Sequence, residues 1–182
     1  KSQNGRYGAA VAHIDTGVGE LREHLLERGL GEDTLVIFTS DNGANGWSGG
    51  SNLPFRGTKG STWEGGFRMP CILWWPGVLP AGYTCDAVTT MMDFLPTLAN
   101  LSGAKIPDDR VIDGHDISSL LRGETSESPY EAFFYYRKDE LAAVRSGRWK
   151  LHVSRGGKPV AELYDLHEDI GETRNCYDQY PE

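Results

Sequence analysis

The first thirty residues carry a helical pattern of apolar positions. Apolar side chains recur at spacings of three or four residues, at Val11, Ile14, Val18, Leu21 and Leu25. This spacing places them on one face of an α-helix. The pattern predicts a helix over residues 7–28 that ends at Gly29, a residue suited to a helix C-terminus.

Two short apolar runs, residues 35–38 and 71–75, follow without alternation of polar positions. Continuous runs rich in β-favouring residues are typical of strands buried on both faces of a parallel sheet. We therefore expect Cys71, in the second run, to be a small buried hydrophobic residue. A helix followed by a strand is half of an α/β repeat, and a doubly wound sheet needs several more strands. The chain is thus expected to be the C-terminal part of a larger protein.

The last third of the chain has a different pattern. Strand-length segments separated by short turns occupy residues 131–137, 141–145, 149–154 and 162–166. Strands joined by short turns predict an antiparallel sheet. A polar stretch at residues 124–129 precedes them. We therefore predict an α/β part at residues 1–124 and a small antiparallel α+β subdomain at residues 125–182.

Composition and charge exclude several classes of function. The net charge of −8 and the lack of a long basic run argue against a nucleic-acid partner. No segment approaches the roughly 18 apolar residues that span a bilayer. Three widely spaced cysteines without a C-x-x-C pair predict neither a disulfide framework nor a zinc site, although a Cys85–Cys176 bridge stays open.

The chemistry-bearing residues follow the first predicted strand. Asp41 and Asn42 come directly after it, and in open α/β sheets ligands bind beyond the carboxyl ends of strands. Their side-chain oxygens suit a hard cation. Lys59 follows about seventeen residues later between two glycines, where it can bind an anionic ester beside that cation.

These motifs resemble a known family. The DNG triplet after a strand, the segment FRGTKG and the segment WEGGFRMP are similar to motifs of the sulfatases of the alkaline phosphatase superfamily. The later segments FFYYR, LAAVRSGRWKLH and ELYDLHEDIGETRN resemble the C-terminal subdomain of those enzymes, in particular arylsulfatase A and N-acetylgalactosamine-6-sulfatase relatives. The resemblance implies the C-terminal part of an alkaline-phosphatase-like α/β sandwich, followed by a small antiparallel α+β subdomain.

The resemblance also implies an activity, hydrolysis of sulfuric esters of sugars or aryl alcohols. Asp41 and Asn42 would be ligands of one Ca²⁺, and Lys59 would be the catalytic residue that binds the sulfate. The family's C-terminal subdomain borders the substrate cleft, so Arg137 and His152 are further candidates for substrate binding. An exported setting, whether periplasmic, extracellular or lysosomal, is implied as well.

The family's nucleophile is missing from this sequence. Sulfatases use a formylglycine made from the Cys or Ser of a C/S-x-P-x-R motif, and none of the three cysteines begins such a motif. We therefore expect the formylglycine upstream of this chain and no activity from the 182 residues alone. Expected partners are a sulfated small molecule or glycan, together with the missing N-terminal portion or an oligomer.

Two alternative functions stay open. A phosphodiesterase or phosphonate hydrolase on the same fold would differ in the residue at the missing nucleophile position. A non-catalytic fragment that acts as an interaction module would account for the absent nucleophile motif. The Asp-Asn pair favours a single hard cation, whereas two-zinc phosphatases typically place histidine there.

Overall fold

The structure is a computed structural model that describes residues 5–181. Its helices and strands, in chain order, are α1 (Gly5–Glu27), β1 (Val36–Thr39), α2 (Glu64–Phe67), β2 (Cys71–Trp74), α3 (Phe94–Ser102), α4 (Ser118–Leu121), β3 (Phe133–Arg137), β4 (Glu140–Ser146), β5 (Trp149–Arg155) and β6 (Lys158–Asp165). Among the described residues no helix combines the length and apolar content needed to cross a bilayer.

The chain divides into two compact units. The first is discontinuous and comprises the residues up to Leu73 together with those from Ala132 onward, and the second is the intervening segment Trp74–Glu131. These units follow spatial proximity, whereas the boundary expected between residues 124 and 125 concerns the subdomains of the family. That boundary stays a prediction.

The predicted antiparallel sheet is confirmed. Strands β3, β4, β5 and β6 lie side by side in chain order, and each neighbouring pair is antiparallel. The turn between β5 and β6 consists of Gly156 and Gly157, whose φ angles of 62° and 77° lie in the left-handed region that glycine tolerates. Because this turn is tight, β6 begins at Lys158, four residues before the predicted start.

The strands near residues 36 and 71 form as predicted, but their predicted burial is wrong. β1 and β2 pair with each other in a two-stranded sheet. Ile72 is 60% exposed, and Cys71 is exposed with a free thiol. The predicted helix is also confirmed as α1, yet none of its described residues is buried. Successive residues of a strand point to opposite faces of its sheet, so the exposure of both Cys71 and Ile72 shows that the described residues leave both faces of this two-stranded sheet partly uncovered.

The second unit is organised around the carboxylate of Asp93, which is fully buried. Its oxygens accept hydrogen bonds from the backbone N–H groups of Thr90 at 2.7 Å and His115 at 2.8 Å, and from the hydroxyl of Tyr130 at 2.5 Å. Burial, and then the hydrogen bond to Asp93, raise the pKa of Tyr130 to about 12. Asp93 and its three donors, called the Asp93 cluster below, fix the entry into α3.

Candidate active site

The predicted metal ligands lie on the loop after β1. The N–H of Gly43 donates to the carbonyl of Gly66 at 3.0 Å. A Cβ atom at Gly43 would stand 1.8 Å from the carbonyl oxygen of Gly65, so the two backbones touch where only glycine fits. Asp41 and Asn42 therefore lie on a loop that contacts the backbone of Gly65 and Gly66 directly. We refer to these two glycines as the platform.

The loop that carries Lys59 is tied to the same platform. The N–H of Lys59 donates to the carbonyl of Ala44 at 3.2 Å, and the Asn52 side chain bonds Ala44 through both its amide oxygen and its amide nitrogen. The N–H of Gly65 donates to the carbonyl of Arg56 at 2.7 Å. Backbone contacts thus join the Asp41 loop, the Lys59 loop and the start of α2, while the side chain of Lys59 is exposed.

The donor chemistry of Asp41 and Asn42 fits a calcium ion in kind. The side-chain N–H of Asn42 donates to the carbonyl of Gly43 at 3.0 Å, which leaves its amide oxygen as the atom suited to a cation. Ca²⁺ takes about six to eight oxygens, and these two residues supply two side chains. Within residues 5–181 no group of three or more His, Cys, Asp or Glu side chains could hold a metal ion.

The two other predicted substrate contacts, Arg137 and His152, lie in different environments. Arg137 is exposed at the end of β3 and lines a cavity of about 190 Å³ together with Gly60 and Trp63. His152 is only 1% exposed, and its ring lies 4.2 Å from that of Trp63, centroid to centroid. Both substrate roles stay predictions, but the surroundings of His152 favour a structural role.

A buried ion network lies beneath this platform, and sequence reasoning missed it. Its members are Glu64, Tyr135, Arg145, Lys150, His152 and Glu172. We refer to these six residues as the buried ion network.

Glu64 belongs to α2, and three side chains of the four-stranded sheet converge on its carboxylate. Lys150 Nζ lies 2.8 Å from Oε1, Arg145 Nη1 lies 3.2 Å from Oε2, and the Tyr135 hydroxyl donates to Oε1 at 3.0 Å. Burial by itself raises the pKa of the Glu64 carboxyl, but the charges of Lys150 and Arg145 and these hydrogen bonds bring it below its ordinary value. The carboxylate is therefore held ionised in the interior.

Glu172 forms the other half of the network. Its Oε1 lies 3.1 Å from Lys150 Nζ and 3.0 Å from His152 Nε2, and its Oε2 accepts the backbone N–H of Glu64 at 2.7 Å. Its φ angle of 50° is uncommon for a residue with a side chain. Arg56 Nη1 also donates to the Glu172 carbonyl at 2.8 Å. The C-terminal segment thus reaches back to the start of α2.

Burial of Tyr135, together with the charge of Glu64, raises the pKa of the Tyr135 phenol far above its ordinary value. Tyr135 therefore stays neutral as a hydrogen-bond donor. Lys150 Nζ stands 4.2 Å from the centroid of its ring. Lys150 is fully buried and lies within 3.1 Å of a carboxylate oxygen of both Glu64 and Glu172. Since a buried charge is costly unless it is paired, the two acids and their cations form one mutually dependent set.

One sequence signal singles out two residues of this network, although it does not indicate their burial. Polar residues alternate along β5 at Lys150 and His152, and such alternation normally marks a face in contact with water. In the structure Lys150 and His152 are instead buried, while their neighbours Trp149 and Leu151 are half-buried. The partners that make this possible lie 86 and 20 residues away, beyond the reach of a local pattern.

Two family models match the sequence. One, described as Sulfatase, matches residues 2–104. The other, described as N-sulphoglucosamine sulphohydrolase, C-terminal, matches residues 58–182. Each covers more than half of the chain, and together they span almost all of it.

Curated relatives agree with the family models. The chain is 46% identical to the steryl-sulfatase of Mus musculus over 213 residues, covering 96% of this chain and 34% of that relative. It is 46% identical to the N-acetylgalactosamine-6-sulfatase of Canis lupus familiaris, covering 83% of this chain and 29% of that relative. The chain therefore spans about a third of the length of these relatives.

Solved structures match the fold. PsFucS1 sulfatase from Pseudoalteromonas sp. superposes with a TM-score of 0.84 at 29% identity, covering 94% of this chain and 38% of that one. Ps i-CgsB in complex with k-i-k-neocarrahexaose gives a TM-score of 0.83 at 32% identity, covering 95% and 39%. The predicted fold class, part of an α/β sandwich with a small antiparallel subdomain, is confirmed by these neighbours. The chain belongs to the sulfatase family.

Proposed function

We propose that the protein containing this chain hydrolyses sulfate esters and that Asp41, Asn42 and Lys59 belong to its active site. The observation that carries the proposal is the shared platform. The loops that bear these residues are joined to one another by backbone hydrogen bonds through Ala44, Gly43 and Gly66. Family membership supports the reaction class, hydrolysis of sulfuric esters.

Each of the three side chains has a role in the proposed reaction. A bound Ca²⁺ would draw negative charge from the sulfate oxygens. Asp41 and Asn42 would contribute two of its oxygen ligands. The exposed ammonium of Lys59 would hold a sulfate oxygen and stabilise charge that develops on the bridging oxygen as the ester bond breaks. The formylglycine nucleophile would come from a part of the protein outside these 182 residues.

The alcohol part of the ester would lie beside Lys59. The cavity lined by Gly60, Trp63 and Arg137 begins one residue after Lys59, and its exposed guanidinium suits an anionic or hydroxyl-rich alcohol. We propose sulfated sugars, steroids or aryl alcohols as substrates, because relatives that act on steryl and N-acetylgalactosamine esters share 46% identity with this chain. The family resemblance supports an exported or lysosomal setting.

Sulfate release by the complete enzyme tests the proposal. The panel would contain an aryl sulfate, a steroid sulfate and N-acetylgalactosamine-6-sulfate, with matching phosphate diesters and phosphonate esters. Lys59→Ala should lower kcat by about a hundredfold or more, the usual cost of losing one charge-stabilising group. Lys158→Ala, which removes an exposed lysine of β6, should not change kcat. A preference for phosphate diesters would contradict the proposal.

The isolated 182-residue chain provides a second test. It should release no sulfate, even when it is produced beside the formylglycine-generating enzyme, because the activated nucleophile is missing. Calorimetry should show only weak Ca²⁺ binding, since two protein ligands are far fewer than the cation requires. Submicromolar binding that Asp41→Ala abolishes would instead mean that the chain holds further ligands.

A further inference from the structure

We propose that the buried ion network is a positioning device for the candidate active site, with Lys150 and Glu172 as positioning residues. The inference rests on the proposed function for its catalytic consequence and on the described contacts for its structural one. Neither Lys150 nor Glu172 would touch the substrate, because both side chains are fully buried.

Residues 64–66 connect the network to the site. The side chain of Glu64 is held by Lys150, Arg145 and Tyr135 on one side of α2. The next two residues, Gly65 and Gly66, present their backbone to the loops that bear the proposed catalytic groups. Any shift of Glu64 is therefore passed along one or two peptide units to both loops.

The close contacts at Gly65 and Gly66 leave little room for movement of the backbone. A Cβ atom at Gly65 would lie 2.6 Å from the carbonyl oxygens of Arg56 and Gly57, and one at Gly66 would lie 2.1 Å from the carbonyl oxygen of Ser61. Packed backbones of this kind transmit small displacements instead of absorbing them. A misplacement of about 1 Å at a reacting group is enough to lower a rate by about a hundredfold.

The charge balance of the network depends on Lys150. Nζ lies between carboxylate oxygens of Glu64 and Glu172, so it neutralises their repulsion. The other groups facing these carboxylates are Arg145, Tyr135 and His152. Without Lys150 the acids of α2 and of the C-terminal segment would repel each other. Glu64 would then be pushed away from the sheet that anchors it.

The first experiment compares Lys150→Met with wild type in the complete enzyme, at a temperature where both are folded. We expect kcat to fall at least tenfold at pH 8. Adding Glu172→Gln removes the repelling charge but keeps a side-chain oxygen that can accept the N–H of Glu64, so it should restore at least half of the lost kcat at pH 8. A folded Lys150→Met enzyme with kcat within twofold of wild type overturns the proposal.

Two further variants keep the test decisive. Arg148→Met removes an ion pair between the β4–β5 turn and Asp165 of β6, outside the network, and should leave kcat unchanged. If Lys150→Met does not fold, Tyr135→Phe removes one hydrogen bond to Glu64 without changing any charge. It should lower kcat about threefold with KM unchanged, and a wild-type kcat would count against positioning.

Amide hydrogen exchange separates this inference from the proposed function. The amides of Gly43, Gly65 and Gly66 donate to the carbonyls of Gly66, Arg56 and Trp63, respectively. In Lys150→Met these three amides should exchange at least tenfold faster, while those of α3 should not change. Unchanged exchange at the three glycines would overturn the positioning role, whatever the enzyme's activity. A wild-type enzyme that releases no sulfate, but whose variant shows faster exchange at these glycines, would overturn only the proposed function.

Discussion

The two compact units each bury a carboxylate, and they do so by different means. Asp93 is surrounded by neutral donors, two backbone N–H groups and the Tyr130 hydroxyl, all within residues 90–130. Glu64 is surrounded by two cations and a tyrosine that lie 71 to 86 residues further along the chain. A local cluster of neutral donors fixes a turn, whereas a long-range network of charges fixes one chain segment against another.

Removing one charge from the buried ion network should have the largest effect on stability. Lys150→Met leaves two buried carboxylates without their shared cation, and breaking such a pair costs about 3–5 kcal/mol of unfolding free energy. Urea unfolding of the chain would measure the loss of unfolding free energy. Amide exchange in β5 would show whether the loss is located in the four-stranded sheet. Arg148→Met should leave the unfolding midpoint near that of wild type, because its pair with Asp165 is partly exposed. Similar losses in both variants would remove the distinction between buried and exposed pairs.

Asp93→Ala should have the next largest effect, and it should appear in the other unit. The change leaves the N–H groups of Thr90 and His115 without their buried acceptor, at a cost of about 2–3 kcal/mol. Faster amide exchange in α3, with β5 unchanged, would be the expected pattern. Asp108→Ala, at an exposed aspartate of the same unit, is the matched control and should behave as wild type. A loss as large as that of Lys150→Met would show that neutral and charged clusters are equally demanding.

The smallest expected effect is the loss of the stabilising contribution of Glu64 at acidic pH. The pKa of Glu64 is lowered in the folded chain, so its contribution is complete above the ordinary glutamate pKa of about 4.3 and is lost as the pH falls through the lower folded value. The difference in unfolding free energy between wild type and Glu64→Gln should therefore shrink below about pH 4.5, by about 1.4 kcal/mol for each unit of pKa lowering. Glu20→Gln, at an exposed site in α1, should show no such trend. A difference that stays constant down to pH 3 would contradict the ionised state of Glu64.

Local pattern was enough to predict the elements and the chemical motifs. The spacing of Val11 and Ile14 predicted α1, and the short turns near Gly147 and Gly156 predicted the antiparallel sheet, because both signals depend on neighbours within a few residues. The DNG triplet and Lys59 indicated the family for the same reason. The structure joins their loops, and their chemical roles stay proposals.

Burial could not be predicted in the same way. Cys71 occupies an apolar run yet is exposed, because the burial of a strand depends on what covers its sheet. Lys150 and His152 occupy polar positions yet are buried, because Glu64 and Glu172 arrive from distant parts of the sequence. His152 is a predicted substrate contact because it lies in the family-like segment WKLH of a subdomain that borders the substrate cleft in the family. Its contacts with Trp63 and Glu172 depend on long-range pairing that one sequence does not reveal.

The discontinuity of the first unit has a consequence for synthesis on the ribosome. The backbone N–H of Glu64 bonds a carboxylate that lies 108 residues later in the chain. At about 5–20 residues per second, a ribosome needs roughly 5–20 s to make that stretch. During this interval the side chain of Glu64 is exposed to water. A charged side chain is well solvated there, whereas an apolar side chain at the same position would promote aggregation. We therefore expect the platform beneath Lys59 to be among the last parts of the nascent chain to acquire its final geometry.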